Sequence, residues 1–269
     1  MGGFSKKNMK YVVLFFTIFL LLLGCGNQQA EKQTDGKEIE ITVSAAASLT
    51  DALQEIQDNY RAENSNVTIY FNFGGSGALQ QQIERGAPVD LFISASKSYI
   101  EALVQQGMIA EDEQTTLLTN ELTVITAADD KTTIRDVNDL LKTEVSSIAI
   151  GIPETVPAGK YAKEALQHGN VWEDVESKMI QAKDVRQVLQ YVETKNVEAG
   201  FVYKTDALSS DKVRIAYTVD PSFYTPIEYP VGVIHSSANK QEVIDFYTYL
   251  QSEEAMAMFK KYGFSAPGE

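Results

Sequence analysis

The chain has 269 residues, 23 Lys and Arg against 37 Asp and Glu, a net charge of −14, and 44% hydrophobic residues, enough for one large domain or two lobes with separate cores. The acidic balance excludes the basic footprint of a nucleic-acid-binding protein, and it means that any anion site must rely on local donors and not on the overall field. With two histidines and one cysteine, imidazole- or thiolate-rich metal sites and cysteine-based catalysis fall away.

Met1–Lys10 carries Lys6, Lys7 and Lys10, Tyr11–Leu23 is almost wholly apolar, and Leu22-Leu23-Gly24-Cys25 leads into the polar run Asn27–Lys37. Basic, then apolar, then small is the layout of a secretory signal peptide. The apolar stretch is shorter than the ~20 residues a spanning helix needs. The residues before Cys25 resemble the lipobox of bacterial lipoproteins, which implies a signal peptide over residues 1–24 and a lipid on the Cys25 sulfur. The plainer alternative is an uncleaved anchor helix with an incidental cysteine. Either way the remainder works at the extracytoplasmic face of a membrane. Loss of the three lysines takes the charge from −14 to −17. Residues 25–37 read as a flexible tether with a reach of roughly 20 Å.

Beyond the tether, strands and helices alternate. Ile39–Val43 predicts a strand, and Thr50–Glu63 places Leu53, Ile56 and Tyr60 at helical spacing. Val67–Phe73 alternates as a strand, Ala78–Arg85 reads as a helix, Leu91–Ser94 as a buried strand, and Lys97–Gln106 as a helix ended by Gly107. Strands follow at Leu122–Ala127 and Ile148–Ile152, then helices at Lys160–His168 and Val185–Lys195. Ala199–Tyr203, Val213–Thr218 and Val231–Ile234 are strands, and Gln241–Leu250 and Glu253–Tyr262 close the chain as helices. The alternation predicts an α/β architecture with parallel sheets.

Four segments share a strand, a small or hydroxyl-bearing turn and a helix start. In the first, Ser48 stands at the expected N-cap with Asp51 three residues on, the spacing of a capping box. In the second, Gly74-Gly75-Ser76-Gly77 enters a helix, with glycines that allow close backbone approach. The third is Pro153-Glu-Thr-Val-Pro157-Ala158-Gly159, where Pro157 suits a helix opening. The fourth, Lys183-Asp184-Val185-Arg186, opens a helix for which Asp184 is most simply the cap. A helix N-terminus offers free N–H groups and partial positive charge, so the four together suggest an anion site. Singly, each serine is ordinary capping, and Tyr203 is most simply half-buried core.

At these same segments the chain resembles the periplasmic molybdate-binding proteins of ABC transporters. The similarity runs through Ala45-Ala-Ala-Ser-Leu-Thr, Gly86-Ala-Pro-Val-Asp-Leu-Phe-Ile-Ser-Ala, Val156-Pro-Ala-Gly-Lys-Tyr-Ala, Glu198-Ala-Gly-Phe-Val-Tyr and Phe259-Lys-Lys-Tyr-Gly-Phe. The resemblance implies a two-lobe type II solute-binding fold, with a central mixed sheet in each lobe and a ligand cleft between. It places lobe 1 at residues 38–120 plus 230–269 and lobe 2 at 121–229. It implies oxyanion contacts from the Ser48 and Ser76 hydroxyls, the backbone N–H groups of Ala158 and Val185, and the Tyr203 hydroxyl. It also implies molybdate or tungstate as ligand, no cofactor, no direct protein–metal bond, no catalysis, a monomer, and a membrane permease as partner. The family often carries serines where this chain has Gly74-Gly75-Ser76-Gly77, so neighbouring hydroxyls are missing and the loop is expected to be more mobile.

Neutral donors suit a tetrahedral dianion, because a protonated oxyanion carries an O–H that a donor-only shell leaves unpaired, at ~1–3 kcal/mol. A sulfate receptor is the rival within this class. A serine hydrolase on Ser48 or Ser76 is the rival outside it, disfavoured because neither serine sits in a Gly-x-Ser-x-Gly elbow and neither His168, at a helix end, nor His235, after a strand, has an evident nucleophile partner. A structural adhesion lipoprotein is a third, and predicts no small ligand.

Overall fold

The computed structural model describes residues 38–237 and 240–268; the signal segment, Cys25 and the tether lie outside the described residues. Chain order begins with β1 (Ile39–Ala46), a 3₁₀ turn (Ala47–Leu49), α1 (Thr50–Glu63), β2 (Val67–Gly74), α2 (Ser76–Glu84), β3 (Leu91–Ile93), α3 (Lys97–Gln105) and β4 (Ile109–Asn120). It continues with β5 (Leu122–Ala127), β6 (Ile148–Gly151), α4 (Pro157–His168), α5 (Trp172–Val175), β7 (Met179–Ala182), α6 (Val185–Glu193), β8 (Ala199–Tyr203), α7 (Lys204–Leu208) and β9 (Val213–Thr218). It ends with β10 (Ile227–Ile234), α8 (Gln241–Tyr249) and α9 (Glu253–Lys261). Among the described residues no helix is long and apolar enough to cross a membrane.

Two lobes result, each built on a five-stranded sheet, ordered β2-β1-β3-β10-β4 and β7-β6-β8-β5-β9. In the first sheet β1 runs parallel to β2 and β3, while β10 runs antiparallel to β3 and β4. In the second, β6 is parallel to β7 and β8, and β5 is antiparallel to β8 and β9. The sheets are therefore mixed, as the family resemblance implies, and the parallel arrangement that alternation by itself suggests does not hold. The cause is the path of the chain. It leaves the first sheet at Glu121 and returns between β9 and β10, and strands reached by such crossings need no right-handed βαβ connection.

Local patterns explain most elements. The spacing that predicts α1 buries Ala52, Leu53, Ile56 and Tyr60 on one face, and each large side chain so placed contributes about 1.5–3 kcal/mol. Two strands escape the pattern. β4 contains Glu111-Asp112-Glu113 and reads as a loop, yet it pairs with β10 from Asn120–Ile227 to Ile109–Ile234. It lies at a sheet edge, where the exposed Glu111 and Asp112 discourage pairing with other chains. β7 is a four-residue edge strand, too short to show alternation. The register of β10 slips at Tyr229/Pro230, a position that tolerates a proline without an N–H in an inner strand.

Candidate functional site

The carboxyl ends of β1, β2 and β8 and the openings of α2, α4 and α6 converge on one tight pocket of about 10 Å³ between the lobes, lined by Ser48, Ser76, Val156, Pro157, Val185 and Tyr203 among others. Four of the five expected contact residues are thus brought together. Ala158 is not itself a lining residue; it follows Pro157, and its side chain is fully buried. Among the described residues no charged side chain lines this pocket.

Ser48 does not cap α1. It sits in the 3₁₀ turn, α1 opens at Leu49 without a side-chain cap, and the capping box with Asp51 does not form. Instead the Ser48 hydroxyl turns inward to lie 2.9 Å from the Tyr229 hydroxyl, and Asp51 meets Arg186 at 2.6 Å. A buried hydrogen bond across the sheet has replaced a solvated cap. Ser76 is the first residue of α2, with Gly75 as cap. Its Oγ accepts from the Ala95 N–H at 3.0 Å.

The opposite wall is made by helix starts. Pro157 opens α4 as expected, one residue before Ala158. The geometry requires glycine at 159: a Cβ there would fall 1.9 Å from the Gly151 carbonyl oxygen. That clash-free approach seats the first turn of α4 on the end of β6. Asp184 caps α6, accepting from the Gln187 N–H at 2.8 Å, which leaves Val185 in the first turn. First-turn N–H groups have no acceptor within their own helix.

Tyr203 ends β8 with 1% of its surface exposed, so it is fully and not half buried. Its hydroxyl finds no partner among the described residues, and burial drives its pKa well above the usual phenol range. It remains a neutral donor.

Two cations on the helices that open at the site are already engaged. Arg186 bonds Asp51 and contacts the fully buried Asp206 at 2.9 Å. Burial opposes its charge, but Asp206 and Asp51 outweigh that and raise its pKa. Asp206 is pushed up to about 6 by burial, against the pull of Arg186 and of the Tyr203 N–H. Lys160 faces Glu164 at 3.9 Å.

The Gly75–Gly77 loop is held across the cleft and not loosened by its glycines. The Gly77 N–H donates to the Thr155 carbonyl at 2.9 Å, and a Cβ on Gly77 would lie 2.9 Å from Thr155 Cα. Tyr161 adds a further crossing, its hydroxyl donating to the Ala95 carbonyl at 3.1 Å. Gly77 was legible as part of a candidate segment, but Tyr161 and Tyr229 were not legible as site residues. Their partners lie far off in sequence, 181 residues away for Tyr229 and Ser48. Neither histidine lines the pocket; His168 stacks on Phe223 with ring centroids 4.1 Å apart.

Residues 41–265 match the model of the bacterial extracellular solute-binding proteins. The chain is 44% identical over 260 residues to YvgL of Bacillus subtilis, described provisionally as an ABC transporter substrate-binding lipoprotein, covering 97% of this chain and 99% of that one. It is 38% identical over 262 residues to the molybdate-binding protein ModA of Escherichia coli, covering 95% and 98%. The fold matches the periplasmic molybdate-binding protein of Azotobacter vinelandii with a TM-score of 0.76 at 22% identity, over 84% of this chain and 99% of that one. Those proteins capture solutes outside the cytoplasm and are not enzymes, which removes the hydrolase reading. With its two mixed-sheet lobes and a donor-lined pocket between them, this chain belongs to the bacterial extracellular solute-binding protein family.

Proposed function

We propose that the pocket captures molybdate, and tungstate comparably, for delivery to the membrane permease of an ABC importer. The observation that carries this reading is the Tyr203 hydroxyl, buried at the pocket with no acceptor among the described residues. A buried unpaired donor costs about 1–3 kcal/mol, and an oxyanion supplies what it lacks. Ser48 and Ser76 donate from one wall; the N–H groups of Ala158 and Val185 and the Tyr203 hydroxyl donate from the other. The anion is cargo and not a cofactor. With neutral donors alone it is held by dipoles, as at helix termini and backbone nests. The likeness to ModA of Escherichia coli supports molybdate over sulfate as the preferred solute.

Calorimetry against molybdate, tungstate, sulfate and phosphate tests this directly. One molybdate per chain, matched by tungstate, with weak sulfate and undetectable phosphate, is the expected result. Tighter sulfate than molybdate, or no oxyanion binding, would sink the reading.

The lobes are read as residues 38–120 with 230–269, and 121–229, closing on the anion in a monomer, with the return to the first lobe falling a few residues earlier, at Ile227, where β10 begins. Retention at the membrane is assigned to a diacylglyceryl group on Cys25, since a single acyl chain binds only marginally. The likeness to YvgL, named a lipoprotein, supports it. Cys25→Ala should release the protein from membranes; unchanged retention after signal cleavage would count against lipidation.

A further inference from the structure

The hydroxyl of a serine can donate or accept, yet a donor-only site needs it to donate. We infer that Asn120, acting through Tyr229, fixes the direction of the Ser48 proton, so that both residues are positioning residues for oxyanion selectivity. The inference rests on Ser48 contacting the anion, as proposed above.

The relay starts at the crossing between the lobes. The Asn120 Oδ1 accepts from the Glu121 N–H at 2.9 Å, which fixes which end of the amide carries hydrogens. Its Nδ2 then donates to the Thr205 hydroxyl at 2.9 Å and to the Tyr229 hydroxyl oxygen at 3.3 Å. An amide nitrogen has no acceptor capacity, so Tyr229 accepts there. Tyr229 is fully buried, and its own hydrogen is left to the Ser48 Oγ at 2.9 Å. Tyr203 packs its ring edge-on to Tyr229, and its hydroxyl makes no hydrogen bond of good geometry there, which leaves Ser48 as the acceptor that Tyr229 meets at hydrogen-bond distance.

Ser48 therefore accepts from Tyr229, and its hydrogen points to the pocket. Ser76 is set the same way by a different donor, the Ala95 N–H. Both hydroxyls of this wall have their acceptor side occupied and their donor side free. A fully deprotonated oxyanion satisfies them. An oxyanion carrying an O–H meets a second hydrogen instead of a lone pair. Because Asn120 also bonds Thr205 on α7, the relay spans both lobes, and its direction is set where they join.

Tyr229→Phe deletes the donor to Ser48 and frees that hydroxyl to rotate and accept. Molybdate affinity should fall about five- to tenfold, as for one lost orienting hydrogen bond. Hydrogen phosphate and hydrogen arsenate should instead gain, so the molybdate-to-phosphate ratio should narrow by at least about tenfold, a shift that loss of core packing alone would not give. Competition calorimetry near neutral pH, with unfolding midpoints recorded, reads the ratio. Asn120→Asp provides the same reading without touching the ring: a carboxylate takes the Tyr229 proton, Ser48 turns to donate to Tyr229, and the ratio narrows again. Equal loss for all anions, or an unchanged ratio, in either folded variant overturns the relay. A parent that ignores molybdate, or a Ser48→Ala variant that binds it undiminished, overturns the site reading and the relay with it. A molybdate-binding parent weakened by Ser48→Ala, with Tyr229→Phe leaving the ratio unchanged, overturns the relay alone.

Discussion

The two walls of the pocket present donors by different means. The first-sheet wall offers side-chain hydroxyls, whose protons must be aimed by other groups: Tyr229 behind Ser48 and the Ala95 N–H behind Ser76. The second-sheet wall offers first-turn backbone N–H groups, which the helix itself aims, and the single hydroxyl of Tyr203. A backbone donor depends on the placement of a whole helix; a hydroxyl donor depends on one or two buried neighbours. The first is broken by a clash that shifts the helix, the second by removing one oxygen.

The largest effect should therefore come from the helix wall. Gly159→Ala puts a Cβ into the Gly151 carbonyl, and since overpacking typically costs about 1–3 kcal/mol and sometimes more, stability should fall by at least about 3 kcal/mol, with anion binding lost as the α4 opening shifts. Urea unfolding and calorimetry read both; an unaltered protein would show that α4 can slide without consequence.

Next come the two hydroxyl walls compared. Ser76→Ala and Tyr203→Phe each remove one donor to a charged acceptor, about 1.5–3 kcal/mol or roughly ten- to a hundredfold in affinity. They should differ without ligand. Ser76→Ala leaves the buried Ala95 N–H without its acceptor and should lower stability by about 1–3 kcal/mol. Tyr203→Phe orphans nothing, because its hydroxyl has no partner to lose. If Tyr203→Phe destabilises the anion-free protein as much as Ser76→Ala, the distinction between the walls fails.

A smaller effect concerns the support behind Tyr203. Asp206 has its pKa raised to about 6 by burial, against ~3.9 when unfolded. Its contribution to stability is thus fully present below about pH 4 and is lost as the pH rises through about 6. Asp206→Asn lacks that loss, so its stability relative to the parent should improve from pH 4 to 7. Urea midpoints of both proteins across that range check it; a constant difference would remove Asp206 from the titration.

The smallest expected effect is that of salt. With Arg186 and Lys160 facing carboxylates, binding should change by less than about threefold between low and high sodium chloride, since screening acts mainly on exposed charges. A steep dependence would mean that a cation leaves its partner to meet the anion.

Much of this was legible in the residues. Hydrophobic spacing placed α1, β5, β8 and β9 at their observed bounds or nearly so, because burial on one face is written locally. Pro157 marked a helix opening and Asp184 a cap, because both act within a turn. The serines at strand ends were visible as helix-entry residues, but their hydroxyl partners were not. Ser48 looked like a cap and became a buried partner of Tyr229, since a local cap competes with a contact that exists only after two distant strands pair. Tyr203 as a site residue came only from the family resemblance.

The sequence by itself determined that strands and helices alternate, that four helix openings carry small or hydroxyl residues, and that no basic field would draw in an anion. These follow from periodicity, turn chemistry and charge, which act over a few residues or over the whole chain. The tertiary structure alone decided the rest. It made β4 an acidic edge strand, since pairing with β10 outweighs its loop-like composition. It made the sheets mixed, as the resemblance implied and alternation did not, since the chain crosses between them. It pressed Gly77 onto Thr155 and set Asn120, Tyr229 and Ser48 in line. Contacts between residues 109 and 181 positions apart leave no local trace, because nothing in either segment constrains the other until the lobes have formed.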